Sequence, residues 1–298
     1  MSVEDFFVRE HDFLICVDSD GCVMDTMNCK HFHCFGPSLT LEWGLEEWED
    51  AILRRWTDIN LLQMTRGIRR FKALALLLDE VNAKYTRIPG VETLKAWTES
   101  SQALSHEALA DAIEVETDPE GKLCLQKALN WSMTVNDEIT KLPDALRKPF
   151  GGVRAALAAA ARYADIAVIS GANSESVRGE WERHGLLPYA NTILTPDSSG
   201  VESCVKTMIA QGYEPENILM VGDAPVDMAA SKKWVFTSIP LWQTGKKRVG
   251  RPLQMRRFPD LCCASMTLTK KKERRFLLRI WVDDVQYPQS LGFADIVI

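Results

Sequence analysis

Phe13-Leu14-Ile15-Cys16-Val17-Asp18-Ser19-Asp20-Gly21-Cys22-Val23-Met24-Asp25 is the stretch that decides the fold. Five apolar or small residues run without a break and stop at an aspartate. A short apolar run bounded by turn-formers predicts a fully buried strand of a parallel sheet. In open α/β sheets the ligand site lies just beyond the carboxyl ends of such strands. Asp18 and Asp20 are therefore expected at that edge, two residues apart, with Gly21 turning the backbone away tightly. Two carboxylates this close repel unless a cation or a shared proton intervenes. A hard divalent cation with oxygen ligands, Mg²⁺ above all, is the natural partner. Read alone, the stretch is equally a strand end with acidic turn residues.

The bulk composition is that of an ordinary globular chain. It has 298 residues, 46% apolar and 26% charged, and a net charge of −6, which argues against a general nucleic-acid surface. The first apolar stretch is too short and too acidic at its flanks for a signal peptide. No run reaches the length of a membrane span; Ala155–Ile169 is interrupted by Arg162 and Asp165. Eight cysteines without any C-x-x-C pairing read as reduced thiols, so a cytoplasmic protein is expected. Cys29, His31, His33 and Cys34 lie close together, but their spacing fits no usual tetrahedral zinc pattern. Thr26–Pro37 is expected to be a hinge leading out of the core.

From Leu39 to about Pro143 the apolar spacing is helical. Trp48, Ile52, Leu53 and Trp56 recur at offsets of three and four, as do Phe71, Leu74, Ala75, Leu78 and Val81. Val91–Thr98 follows as a shorter helix, and Ser105 is a plausible N-cap for the next. Pro119-Glu120-Gly121 is expected to break the chain before Leu123–Ile139. Five of the nine tryptophans fall in this block, and core packing is the expected use of such a stripe. Within it, Thr65-Arg66-Gly67-Ile68-Arg69-Arg70 is a basic turn before a helix. Such a turn could receive an anionic substrate or be a solvated face.

At Pro149-Phe150-Gly151-Gly152 the character changes. An Ala-rich helix leads into the apolar run Ile166–Ile169, which ends in Ser170-Gly171-Ala172-Asn173. Helix and strand then alternate: Ser176–His184, Thr192–Leu194, Val201–Gln211, Ile218–Val221, Met228–Trp234, Val235–Ile239. The fourth strand ends in Gly222-Asp223-Ala224-Pro225-Val226-Asp227. Alternation of this kind implies βαβ units with right-handed crossovers. The fold class is therefore α/β, a doubly wound parallel sheet with an inserted all-helical unit. Three strand ends would bring Asp18, Asp20, Ser170, Asp223 and Asp227 to one edge. A Mg²⁺ ion there could use the Asp18 carboxylate, the Asp20 backbone carbonyl and the Asp223 carboxylate.

Asp18-x-Asp20-Gly21-x-Val23, Ser170 after an apolar strand, and Gly222-Asp223-x-x-x-Asp227 together resemble three of the four motifs of the haloacid dehalogenase (HAD) superfamily. The resemblance covers residues 13–25 and 150–240. It implies a Rossmann-like core from residues 1–35 and 149–245 and a helical cap from 36–148, inserted after the first motif. It also implies a Mg²⁺-dependent phosphohydrolase acting on a small phosphorylated metabolite. Asp18 would attack phosphorus to give an aspartyl-phosphate, and Asp20 would act as acid and base. Ser170 and the Gly171 N–H would bind phosphoryl oxygens, with Arg66 as a further phosphate contact. Asp18, Asp20 and Asp223 would hold the metal, and Asp227 would steady Asp223 or a lysine.

Two departures from the family pattern stand out. Thr195–Glu202 lacks the lysine that the family places before its fourth motif; Lys206, Lys148 or a cap arginine would have to replace it. Residues 246–298 carry 12 Lys/Arg against 5 Asp/Glu. They read as a partly disordered basic extension, or as an arm for an acidic partner. The alternatives on the same core are a phosphonatase, a sugar-phosphate mutase, or a catalytically weak binding or regulatory protein.

Overall fold

The apolar run at the head of the chain is a strand, β1 (Phe13–Asp18), at the centre of a five-stranded parallel sheet. This is a computed structural model describing residues 7–172, 174–194, 201–225, 227 and the strand 237–240. The other strands are β2 (Ala164–Ile169), β3 (Thr192–Leu194), β4 (Ile218–Gly222) and β5 (Thr237–Pro240). Their order is β3-β2-β1-β4-β5, with Asp18 in register with Ile169 and Val17 with Val221. The chain winds outward from β1 through β2 to β3, then restarts on the other side with β4. The topological switch therefore lies between β1 and β4, where open sheets of this kind bind ligands.

Both faces of β1 are covered, which explains its uninterrupted apolar sequence. Ile15 and Val17 pack with α8 (Val153–Ala160) and α9 (Ser174–Arg183) through Val153, Ala156, Leu157, Val177 and Trp181. Leu14 and Cys16 pack on the other face with Cys204, Val205 and Met208 of α10 (Val201–Ala210). Trp181 is fully buried and its indole N–H donates to Ser19 Oγ at 3.0 Å, tying α9 to the end of β1.

Between β1 and α8 the described chain is helical. It runs through α1 (Met27–Lys30), α2 (Gly36–Trp43), α3 (Glu49–Thr57), α4 (Arg70–Lys84), α5 (Val91–Ser100), α6 (His106–Val115) and α7 (Pro119–Lys141). These helices enclose their own apolar core, including Trp56, Phe71, Leu74, Leu94 and Trp131. Trp56 and Trp131 meet edge to face at 5.9 Å, so the tryptophan stripe is core. The chain leaves and re-enters the sheet side by side: Asp25 N donates to the Lys148 carbonyl at 2.8 Å and Phe150 N to that of Val23 at 3.0 Å.

Thr26–Pro37, the segment leading out of the core, is helical: α1 continues through a π-helical turn, His31–Phe35, directly into α2. The wider turn precedes Pro37, which lacks the N–H that regular helix pairing would use. Pro119 does not break the chain but opens α7, behind Asp118, whose carboxylate accepts the Gly121 N–H at 2.8 Å. Proline at the first helical position loses no hydrogen bond. The Ser105 cap is present, accepting from Ala108 N. The expected helix at Met228–Trp234 and the basic extension lie outside the described residues.

At the amino edge of the sheet, Asp165 is fully buried at the start of β2. It accepts the N–H groups of Glu10 (3.1 Å) and His11 (3.0 Å) and the Tyr213 hydroxyl, and it faces the His11 ring at 3.0 Å. This carboxylate anchors the N-terminal segment and α10's exit to the sheet. Asp165→Ala strands the buried Tyr213 hydroxyl and the part-buried N–H groups of Glu10 and His11, and should lower stability by about 3 kcal/mol in urea denaturation. A loss below about 1 kcal/mol would contradict that role.

Candidate active site

Asp18 ends β1 and Asp223 directly follows β4, so the two carboxylates flank the topological switch. An oxygen from each of Asp18, Asp223 and Asp227 lies within 4.8 Å of the others. The glycines make this packing possible. Gly21 has φ +87°, and a Cβ there would overlap the Asp223 carboxylate; one at Gly222 would overlap that of Asp227. Asp18 Oδ1 accepts the Ser19 N–H at 2.7 Å, and Asp227 Oδ2 accepts that of Ala224 at 3.0 Å.

The electrostatic cost is visible in the acids. Burial, then the charges of Asp227, Asp223 and Asp20, raise the Asp18 pKa well above the ordinary carboxylate range. Burial and the neighbouring Asp223 push Asp227 up to about 7. An all-oxygen donor set this crowded with negative charge suits a hard divalent cation.

Arg66, expected as a phosphate contact, is held on Asp223. Its Nε donates to the Asp223 carbonyl (3.0 Å) and to Oδ2 (2.9 Å), and Nη2 pairs with the same Oδ2. The pooled negative charge draws the guanidinium in. Arg66 Nη1 also donates to the Leu61 carbonyl at 3.1 Å, bracing the turn that carries it.

Asp20 is oriented differently from its neighbours. Its Oδ1 accepts the Thr26 hydroxyl and the Lys30 ammonium, the latter at 2.6 Å. Burial works to raise its pKa; the Lys30 charge and these hydrogen bonds outweigh burial, so it is lowered. Ser170 is buried at the end of β2, with its N–H on the Leu194 carbonyl (3.1 Å) and its Oγ accepting from Ala172 N (3.2 Å). Gly171 is exposed, with open space where a Cβ would stand.

Of the three sources the sequence offered for the replacement cation, an arginine of the helical block, Arg66, is the one found at the acids. Lys206 pairs with Glu202 at 2.9 Å on α10, and Lys148 is exposed. The cations present at the described acids are Arg66 and Lys30. Lys30 escaped sequence reading because it lies in the segment taken for a hinge. The available signal was Thr26-x-x-x-Lys30, four residues apart behind the acidic loop, which puts both donors on one helix face. The Cys29, His31, His33 and Cys34 group does not converge: among the described residues no three of them share a site. None of the six described cysteines is in a disulfide.

The family model for haloacid dehalogenase-like hydrolases matches residues 71–239, more than half of the chain. The chain belongs to this family. The match begins inside α4, and the acidic loop at Asp18 joins the matched part through the pairing of β1 with β4. No curated protein matches the sequence. Among solved structures, a predicted phosphoglycolate phosphatase from Haemophilus somnus 129PT is similar at 17% identity, covering 77% of this chain and 85% of that one, with a TM-score of 0.40. A predicted phosphatase from Clostridium acetobutylicum is similar at 12% identity, over 78% and 85% of the two chains, with a TM-score of 0.42. YfnB from Bacillus subtilis, assigned as a HAD-hydrolase and bound to magnesium, is similar at 13% identity, over 80% and 91%, with a TM-score of 0.42. Among the described residues no helix is long and apolar enough to cross a membrane.

An acid whose pKa is raised on folding weakens the fold as it ionises. For Asp227 the penalty is absent below about pH 4, grows as pH rises from there to about 7 and is fully present above that. Without a divalent cation, Asp227→Asn should therefore melt higher than the parent at pH 8. The gap should close as pH falls from about 7 towards 4. An equal gap at both ends of a pH-resolved thermal melt would contradict this.

Proposed function

We propose that this hydrolase is a Mg²⁺-dependent phosphohydrolase acting on a small phosphorylated metabolite through an aspartyl-phosphate on Asp18. The observation that supports it best is the convergence of Asp18 and Asp223 across the β1–β4 switch, with Asp20 two residues from Asp18. Asp18, Asp223 and the Asp20 backbone carbonyl would hold the cation. When bound, it would neutralise charge between the attacking carboxylate and the phosphoryl group.

Asp18 is the nucleophile in this reading, its oxygen bonding phosphorus as the ester oxygen leaves. Asp20 protonates that leaving oxygen, then accepts a proton from the water that hydrolyses the intermediate. Ser170 Oγ and the Gly171 N–H donate to phosphoryl oxygens, a use that requires the serine hydroxyl to point its hydrogen outward from the turn.

We further propose that residues 36–148 act as a cap over a core made of 1–35 and 149–245. The separate apolar core of the helices and the paired exit and return of the chain at Val23–Asp25 and Lys148–Phe150 support that division. A cap that closes excludes water and selects the substrate. Arg66 is then its electrostatic link to the site, and it competes with any cation for Asp223.

Turnover of p-nitrophenyl phosphate with Mg²⁺ tests the reading. The parent should be active, Asp18→Asn inactive, and Ser170→Ala lower in kcat by about 10²-fold. An Asp18→Asn enzyme as active as the parent would exclude the aspartyl-phosphate route. No turnover and no Mg²⁺-linked rise in Tm would favour a binding protein on this scaffold.

Competition at Asp223 has its own readout. Arg66→Gln should bind Mg²⁺ several-fold more tightly by calorimetry, because a guanidinium no longer has to be displaced. Unchanged or weaker Mg²⁺ binding would show that Arg66 does not compete.

A further inference from the structure

Lys30 is buried, only 7% exposed, between acids from two different parts of the chain. Its Nζ lies 2.6 Å from Asp20 Oδ1 and 3.2 Å from Glu180 Oε1. Glu180 is itself buried on α9, the helix that follows the Ser170 turn. Burial works against the lysine's charge, but the two carboxylates outweigh it, so Lys30 stays cationic. Thr26, one helical turn earlier, donates its hydroxyl to the same Asp20 oxygen. Oδ1 thus receives two donors, whereas among the described residues no hydrogen bond reaches Oδ2.

We propose that Lys30 is a positioning residue that, together with Thr26, locks Asp20 so that Oδ2 alone is offered for proton transfer. The proposal rests on the phosphohydrolase reading. In the first step an Asp18 oxygen forms a bond to phosphorus and the P–O ester bond breaks. The electron pair of that bond goes to the leaving oxygen, which takes the proton that Asp20 Oδ2 carries once the negative charge of the incoming phosphoryl group offsets the Lys30 charge that otherwise keeps Asp20 ionised. A carboxyl group free to rotate would share its proton between two oxygens and two directions. One held by a buried ammonium and a hydroxyl keeps the proton-bearing oxygen on the reacting side. Glu180 fixes the far side of the ammonium, so the acid's orientation is referenced to the same helix that follows the serine turn.

A purely structural ion pair and a positioning role are separated by the basicity of the leaving group. p-Nitrophenolate departs with little need of a proton, whereas phenolate needs one, and the two esters share a shape. The experiment measures kcat/KM for p-nitrophenyl phosphate and phenyl phosphate in the parent, Lys30→Met and Lys30→Arg. In Lys30→Met the phenyl ester should lose at least about tenfold more than the nitrophenyl ester, within the range of general-acid effects. Lys30→Arg should recover most of that difference. Equal losses on both esters, or no loss, would overturn the positioning role while leaving the phosphohydrolase reading intact. A parent active on the nitrophenyl ester alone would also overturn it, since no assisted departure would then operate. A parent that hydrolyses neither ester defeats the underlying reading. If Lys30→Met does not fold, Lys30→Met/Glu180→Gln removes both buried charges together and is read by the same ratio.

Discussion

Mutual repulsion among carboxylates at one edge of a buried sheet is the constraint on which the rest of the structure depends. Asp18, Asp223 and Asp227 are brought within 4.8 Å by strands that have no freedom to spread, because apolar layers cover both faces of β1. The cost falls on protonation: Asp18 and Asp227 both bind protons more tightly than free aspartates do. Such a cluster is held together by bound protons or by positive charge supplied from elsewhere.

That charge comes from outside the sheet. Arg66 reaches Asp223 from the turn before α4, and Lys30 reaches Asp20 from α1. Arg66 therefore joins the helical part to the α/β part by electrostatics, and Lys30 ties the segment leading into the helices to β1's loop and α9. An apolar contact between the two parts would be insensitive to what binds at the edge. A charged contact is not, because an ion or a phosphoryl group arriving there changes the balance at Asp223 and Asp20 directly.

The two acids of the first loop, two residues apart, have opposite surroundings. Asp18 faces other carboxylates and is raised; Asp20 faces Lys30 and Thr26 and is lowered. With no cation at the cluster, that order is the reverse of what an ionised nucleophile and a protonated acid need, so the division of roles rests on a positive charge arriving beside Asp18. Elsewhere on the sheet, Asp165 is buried as deeply, with the exposed Glu10 carboxylate nearby, but it is satisfied by backbone N–H groups, a tyrosine and a histidine. It serves the fold at the edge away from the candidate site. Burial of an aspartate alone does not mark function; the charge of its neighbours does.

Local sequence carried the strands well, because an apolar run between turn-formers has few other uses, and Phe13–Val17, Ile166–Ile169 and Thr192–Leu194 all lie within observed strands. It also carried the helical block and the meeting of Asp18 with Asp223, since parallel topology sends every strand's carboxyl end to one edge. It failed at Pro119, where proline's effect depends on its position within a helix that sequence does not delimit. Lys30 and Glu180 are 150 residues apart in sequence, and Arg66 and Asp223 are 157 apart. Apolar periodicity is a short-range signal of which face is buried. The partner of a buried charge is set by where separate elements come to rest, and only the tertiary structure decides that.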